Sequence, residues 1–510
     1  VFVLMLDLSR FLEADGSPKI GAPLGLLTGV YAALEPDRPA LTADGRVYSR
    51  AEVEALANRR ARQLEALGVG SHDAVIIALP NGAEFYLTTL ACWKLGATPA
   101  HVSWRLTEPE FAEIVDWARP KLVVGGPAAD RDWGAPSLPP GVAPDPGVSA
   151  ETLGEREWGP WKMATSGGST GRPKLVVDPN PAVWGDGKTS LNRRSGCTVI
   201  NPGPLYHSAP FGMMIPGLCE GCHVVDMPRF DAERWLQLVD QHRPEWIYLV
   251  PTMMARIANL PEAVRAKYDV SSIKTLLHMA APCPPWAKAF WIDYLGPDAV
   301  WEIYGGTERF GSTMISGREW LQKPGSVGKV RAGIEMRILD EDGTERPVGE
   351  VGEIFFRRPG ALGSTYRYVG VEPRRRGEWI TFGDLGRVDE DGYLFIADRR
   401  TDMIVSGGAN LYPAEIESAI DSLPGVLSSV VVGLPHPDLG LVPHAVVQVA
   451  PDRLASADGA AILAGLRDRL AVTKHPRSIE FTSETIRDDA GKSRRSAWRD
   501  RCIAAQERSA

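Results

Sequence analysis

Apolar residues along this chain fall into short runs separated by amphipathic stretches. "AVIIALP" (74–80), "CTVINPGPL" (197–205), "CHVVDM" (222–227), "WIYLV" (246–250) and "IKTLLHMA" (273–280) are each bounded by Gly, Pro or polar residues, and helical stretches such as "DAERWLQLVDQH" lie between several of them. Continuous apolar runs of strand length, alternating with helices, predict βαβ units and sheets covered on both faces. From about Pro324 the texture changes. "GTERPVGEVGEIFFRR" and "GRVDEDGYLFIADRR" read as turn-rich antiparallel strands. After Asp402 a smaller α/β pattern follows. The helix "PAEIESAIDSL" opens on Pro413, and "SSVVVGLP", "HAVVQVA", a helix near 459–470 and "SIEFT" come after it.

The expected fold class is therefore α/β: a large N-terminal domain with layered sheets (1–399) and a small C-terminal α/β domain (400–510). The Pro- and Gly-rich "GAPSLPPGVAPDPGVS" (134–149) reads as a loop without order of its own. Ligands in such folds sit at the carboxyl ends of strands. That position picks out the loop after Trp161 and the "YGGTE" that follows "AVWEI".

Composition narrows the classes. A chain of 510 residues holds two to four domains at roughly 150 residues each. A formal charge of -8 argues against a nucleic-acid or anionic-membrane binder, which needs a basic face. No apolar run approaches the roughly 18 residues of a membrane span. The apolar "VFVLML" ends at Asp7 with no basic region or cleavage site beside it, so a cytoplasmic chain is expected. Six cysteines make no disulfide framework. Cys219–His223 spells CxxCH, but haem attachment requires export. A turn bent at Gly221 is the expected structure there.

The candidate chemistry begins at "MATSGGSTGRPKLVV" (163–177). Thr165, Ser166, Gly167, Gly168, Ser169, Thr170 and Gly171 offer hydroxyls and unhindered N–H groups, the donors that wrap phosphate oxygens, and Lys174 adds a point charge. The Walker A spacing is absent. Taken alone, such a loop is equally a flexible connector.

Its order and spacing with "YGGTE" (304–308), "FGDLG" (382–386), "DRRTDMIVSGGANLYPAEIE" (398–417) and "AGKSRR" (490–495) resemble the adenylate-forming acyl-CoA synthetase family, nearest its bile-acid and aryl-type ligases. The resemblance covers nearly the whole chain. It implies ATP, Mg²⁺ and CoA as cofactors and a small carboxylic acid as substrate. It also implies two steps, acyl-adenylate formation and then thioester formation, with the small domain rotating between them. The nucleotide-binding residues it implies are the 165–174 loop, Ala281, Tyr304 for adenine, Asp384 for the ribose and Arg399. Thr307 would meet the α-phosphate, Glu308 would hold Mg²⁺, and Lys492 would stabilise the adenylation transition state. Ser406, Gly407 and Gly408 would line the CoA tunnel, and Thr401 would be the hinge.

Tyr206-His207 stands where amino-acid-activating relatives carry an acidic counter-ion, which favours a plain acid. His207 is either a gate or a structural histidine. The acyl pocket is expected from Gly212, Met213, Met214, His278, Met279, Ala280 and Gly305, a small and adaptable lining for a bulky aromatic or polycyclic acid. Departures from the family pattern are Phe382, Thr401, His278, Arg309 beside Glu308, and Asp488 and Asp489 beside Lys492. Negative charge there would weaken the lysine, and Arg309 would compete for Glu308. A thioesterification-only enzyme, a luciferase-like oxygenase and a non-catalytic nucleotide binder remain as alternatives. The sequence leaves monomer or homodimer open.

Overall fold

The computed structural model describes residues 10–127, 131–167, 173–185, 191–359, 365–370, 372–406, 409–488 and 491–509. The described residues form five sheets. In the large domain, a seven-stranded sheet is centred on the parallel strands Thr98–His101, Ala74–Ala78 and Leu122–Gly125. Every position of these three strands is buried, which is why they read as unbroken apolar runs rather than alternating ones. A five-stranded sheet opens with parallel Trp246–Leu249, Thr275–His278 and Val300–Gly305, then turns antiparallel at Ser312–Ser316. A four-stranded sheet carries His223–Asp226 and Thr198–Asn201.

The region after Pro324 is the expected antiparallel one. Gly352–Arg357, Asp384–Val388 and Leu394–Arg399 pair within a six-stranded sheet. The chain then enters a separate five-stranded sheet through Ile404–Ser406, with the long hairpin Val426–His436 and Gly440–Val449 at its centre and Ser478–Thr482 alongside. That sheet has its own apolar packing on both faces, Ile416 and Leu466 on one and Trp498 and Cys502 on the other. The chain is thus a large N-terminal and a small C-terminal α/β domain.

Two local expectations need correction. The 134–149 segment is not wholly irregular, because Ser137–Leu138 adds in parallel to the edge strand Leu122–Gly125. The helix expected near 459–470 ends at Leu466. At the CxxCH sequence, Gly221 has φ +70. It forms the expected bend between the helix Ser208–Cys219 and the strand His223–Asp226.

Candidate active site

The Gly/Ser/Thr loop is flanked by two paired strands. Strands Pro160–Gly167 and Pro173–Pro181 pair with Ser166 opposite Lys174 and Gly167 opposite Pro173. Ser169, Thr170 and Gly171 lie outside the described residues, as do the side chains of Ser166 and Lys174. Beside this strand pair lies a cleft of about 2790 Å³ between the two domains. Thr165, His207, Gly212, Met213, Met279, Ala280, Ala281, Tyr304, Gly305, Thr307, Glu308, Asp384, Arg399, Thr401 and Lys492 all line that cleft.

Its floor is built on a polar knot backed by aromatic rings. The Tyr304 hydroxyl donates to Asp384 Oδ2 at 2.6 Å, and Arg399 Nε stands 3.4 Å from the other carboxylate oxygen. Asp384 and Arg399 face each other across adjacent antiparallel strands, so the sheet register sets the pair. Burial, with the Asp384 charge beside it, raises the Tyr304 phenol well above its ordinary pKa, keeping it a donor. Phe382 belongs to the aromatic backing. Its ring stacks on Phe310 at 4.1 Å and meets Tyr304 edge-on at 6.2 Å. A Cβ at Gly306 would come within 2.4 Å of Phe382 and 2.6 Å of Glu308, so only glycine fits there. Thr381 Oγ1 accepts the Gly383 N–H at 2.8 Å.

Glu308 is buried and accepts from the Tyr368 hydroxyl at 2.6 Å on Oε1. A carboxylate has about four lone-pair positions, which leaves acceptor capacity toward the cleft. Arg309 reaches Asp178 at 2.9 Å, so it has a carboxylate partner other than Glu308. Burial opposes ionisation of Asp178, but Arg309 and further donors outweigh it and hold its pKa below the ordinary value.

Lys492 enters from the small domain at a tight turn. The Lys492 N–H donates to Asp488 Oδ1 at 2.9 Å, the Asp488 N–H returns to the Lys492 carbonyl at 2.9 Å, and Gly491 adopts φ +77. Asp488 therefore shapes the turn that projects the lysine; Asp489 lies outside the described residues. The Lys492 side chain stays open to the cleft's water while protein surrounds most of it. Desolvation, then Arg399, lower its pKa, and Asp488 and Glu308 oppose them.

Several expected site residues do not meet the cleft. His278 is fully buried and does not line the cleft. Strand register puts it on the same sheet face as Glu302, whose carboxylate is 4.0 Å away and also takes Lys288 at 2.5 Å. Burial lowers the His278 pKa to about 4, so it is a neutral interior residue rather than a pocket wall. Met214 is likewise buried in the core. Ser406 ends a strand away from the cleft, and Gly407 and Gly408 lie outside the described residues.

Sequence reasoning missed Glu417. It is buried, accepts from Arg487 at 3.1 Å, and is bridged by Arg495. Arg495 also meets Asp402 at 3.1 Å. The two arginines flank the Lys492 turn, so Glu417 anchors it from behind. The signal was an acidic residue on the inward face of "PAEIESAID" with arginines on both sides of "GK". Lys162 was missed too. It is buried in the cleft wall, donates to Ser208 Oγ at 2.7 Å, and stands 3.9 Å from where a Cβ on Gly212 would sit.

The sequence and the fold that build this cleft match known proteins. The profile of the AMP-binding enzyme family matches residues 30–366, and that of the AMP-binding enzyme C-terminal domain matches 415–492. The chain belongs to the AMP-binding enzyme family. A feruloyl-CoA synthase of Amycolatopsis sp is 32% identical over 480 residues, covering 90% of this chain and 95% of that one. The long-chain-fatty-acid–CoA ligase FadD13 of Mycobacterium tuberculosis is 31% identical over 478 residues, covering 89% and 93%. Among solved structures, ATP-bound MatB from Rhodopseudomonas palustris superposes with a TM-score of 0.76 at 27% identity, covering 95% of this chain and all of that one. The o-succinylbenzoate CoA synthetase of Bacillus subtilis, in complex with its acyl-adenylate intermediate, gives 0.75 at 25% identity, covering 93% and 98%. This chain is an adenylate-forming acid–CoA ligase, with ATP and CoA as substrates. No helix among the described residues is long and apolar enough to cross a membrane.

Proposed function

We propose that this ligase activates a bulky aromatic or polycyclic carboxylic acid and alternates its small domain between the two half-reactions. The observation that carries this reading is the continuity of one cleft, from the Lys492, Glu308 and Asp384 cluster to a wall of Gly212, Met213, Met279 and Ala280. Small and unbranched side chains leave width and adapt to shape. The feruloyl-CoA synthase relative supports an aryl acid; the fatty-acid relative is the competing chemistry.

In the first step an acid oxygen bonds to the α-phosphorus of ATP and pyrophosphate leaves. Lys492 supplies positive charge where it develops on the transferring oxygens, with Thr307 donating alongside. Tyr304 and Asp384 hold the nucleoside, and the 165–174 loop and Ala281 complete its cradle. The buried Glu308 carboxylate, steadied by Tyr368, fits a Mg²⁺ site, a hard cation that would neutralise phosphate charge while keeping most of its waters. In the second step the CoA sulfur bonds to the acyl carbon and AMP leaves. The small domain, turning at Thr401, withdraws Lys492 and presents Ser406, Gly407 and Gly408. His207, at the start of the helix Ser208–Cys219, gates the acyl end. Arg309 pairs with Asp178 and Asp488 bonds the Lys492 backbone, which supports a retained adenylation step over a thioesterification-only enzyme.

Pyrophosphate exchange into ATP across aryl, polycyclic and fatty acids tests this reading. Exchange is expected with hydroxycinnamate-sized or larger ring acids; exchange confined to straight-chain acids would overturn the substrate class.

A further inference from the structure

The small domain carries a second cluster of chemically active side chains, none of which lines the cleft. Strands Gly440–Val449 and Ser478–Thr482 run parallel, with His444 opposite Ser478 and Val446 opposite Glu480. His444 and Glu480 therefore share one face of the sheet. Val446, on that face, packs with Cys502 of the helix Arg495–Ser509. One ligating atom each from His444, Glu480 and Cys502 all lie within 4.8 Å of one another.

His444 is 7% exposed, its Nδ1 is 2.7 Å from Ser478 Oγ, and its Nε2 has no hydrogen-bond partner among the described residues. That Nε2 stands 3.9 Å from Glu480 Oε2. An Nδ1–H donated to the serine leaves the lone pair on Nε2, facing a carboxylate oxygen that is also an acceptor. A buried acceptor without a partner costs about 1–3 kcal/mol. A ligating histidine whose second nitrogen is fixed by a neighbouring oxygen is the usual arrangement at protein metal sites.

We propose that His444, Glu480 and Cys502 bind a divalent cation of borderline softness, Zn²⁺ foremost, which ties the C-terminal helix to the sheet of the small domain. One nitrogen, one oxygen and one sulfur ligand suit Zn²⁺ better than Mg²⁺ or Ca²⁺. Metal bonds of about 2.0–2.3 Å place tetrahedral ligand atoms roughly 3.3–3.8 Å apart, so the cluster closes by about 1 Å on binding. Glu480 is half-exposed and gives water access to a fourth position. On ligation the Cys502 thiol releases its proton to solvent and binds as thiolate.

The test uses the full chain, stripped with chelator and titrated with Co²⁺ and then Zn²⁺. The expected result is one equivalent of Co²⁺ with a cobalt–thiolate charge-transfer band, displaced by Zn²⁺, together with a higher melting temperature for the Zn²⁺ form. Cys502→Ser should remove the band, and Glu480→Gln, at a half-exposed position, should weaken binding about tenfold or more without changing metal-free stability. The chain has five other cysteines. A band surviving in Cys502→Ser would place the metal elsewhere and overturn the proposal, as would the absence of any thiolate band in the unmutated protein. If Cys502→Ser does not fold, unchanged Co²⁺ affinity in both His444→Gln and Glu480→Gln overturns it equally.

Discussion

The two sides of the cleft are held together by different physics. On the large-domain side, Tyr304 and Asp384 rest on packed rings, with Phe310, Phe356 and Phe382 forming one apolar cluster beneath them. On the small-domain side, the Lys492 turn is held by charge, with Arg487 and Arg495 converging on the buried Glu417. Across the boundary the contacts are lighter. Arg494 meets Glu110 at 3.6 Å with both side chains partly exposed, and Gly491 lies against Thr252 and Ala281. Partly exposed ion pairs are worth about 0–1 kcal/mol, far less than either domain's interior. A lysine rigid within its domain but weakly docked to the floor is the arrangement needed for a group used in one step and withdrawn in the next. This contrast supports the proposed domain alternation.

The largest expected effect comes from removing what the lid brings. Lys492→Ala should lower pyrophosphate exchange by about 10²–10³-fold, the range for losing a charge-stabilising donor, with nucleotide binding by the floor little changed. Glu417→Gln, which leaves Arg487 and Arg495 without their shared anion, should cost the small domain about 2–3 kcal/mol. The loss should appear as early melting of that domain while the large domain is unaffected. An unchanged small-domain melting temperature would remove the charge anchor from this contrast.

A third effect reads the junction itself. Asp398 accepts the N–H groups of Ala414 and Arg399 at 2.7 and 2.6 Å, bridging the last strand of the large domain to the first helix of the small one. Burial raises its carboxyl pKa from 3.8 to about 6, against the pull of Arg495 and the two N–H donors. The folded protein then holds a proton that the unfolded chain releases near pH 4. The resulting stabilisation is fully present below pH 4 and is lost as pH rises through about 6. Two units correspond to about 3 kcal/mol. Asp398→Asn should flatten the stability profile between pH 4 and 7, and an unaltered slope would assign it to other groups.

The smallest effect is on the floor. Ala280 sits at φ +81 in the cleft lining, a conformation costing a non-glycine residue about 1–2 kcal/mol. Allowing for the entropy glycine loses on folding, Ala280→Gly should raise stability by about 0.5–1 kcal/mol in chemical denaturation. A loss of stability would show that the methyl group is held by packing that outweighs the strain.

Periodicity and motif order made the architecture and most of the floor legible, because buried parallel strands leave unbroken apolar runs and the floor residues lie close to strands in sequence. The failures share a cause. His278 sat inside a motif position, but sequence does not say which face of a strand meets the cleft; its pairing with Glu302 decided that. Glu417 lies 75 residues before Lys492, and only the fold brings its carboxylate behind the lysine turn. Arg309 and Asp488 were read by adjacency to Glu308 and Lys492, whereas one pairs with Asp178 on a strand of a different sheet and the other shapes a turn through the backbone. Long-range charge pairing is the part of this site that local sequence does not encode.

The most direct measurement gives the Lys492→Ala variant a synthetic acyl-adenylate and CoA and follows acyl-CoA formation. The account predicts a rate within a few-fold of the unmutated enzyme, despite the lost exchange activity. A thioester rate that falls as far as exchange would contradict it, placing Lys492 in both steps and removing the need for the small domain to move.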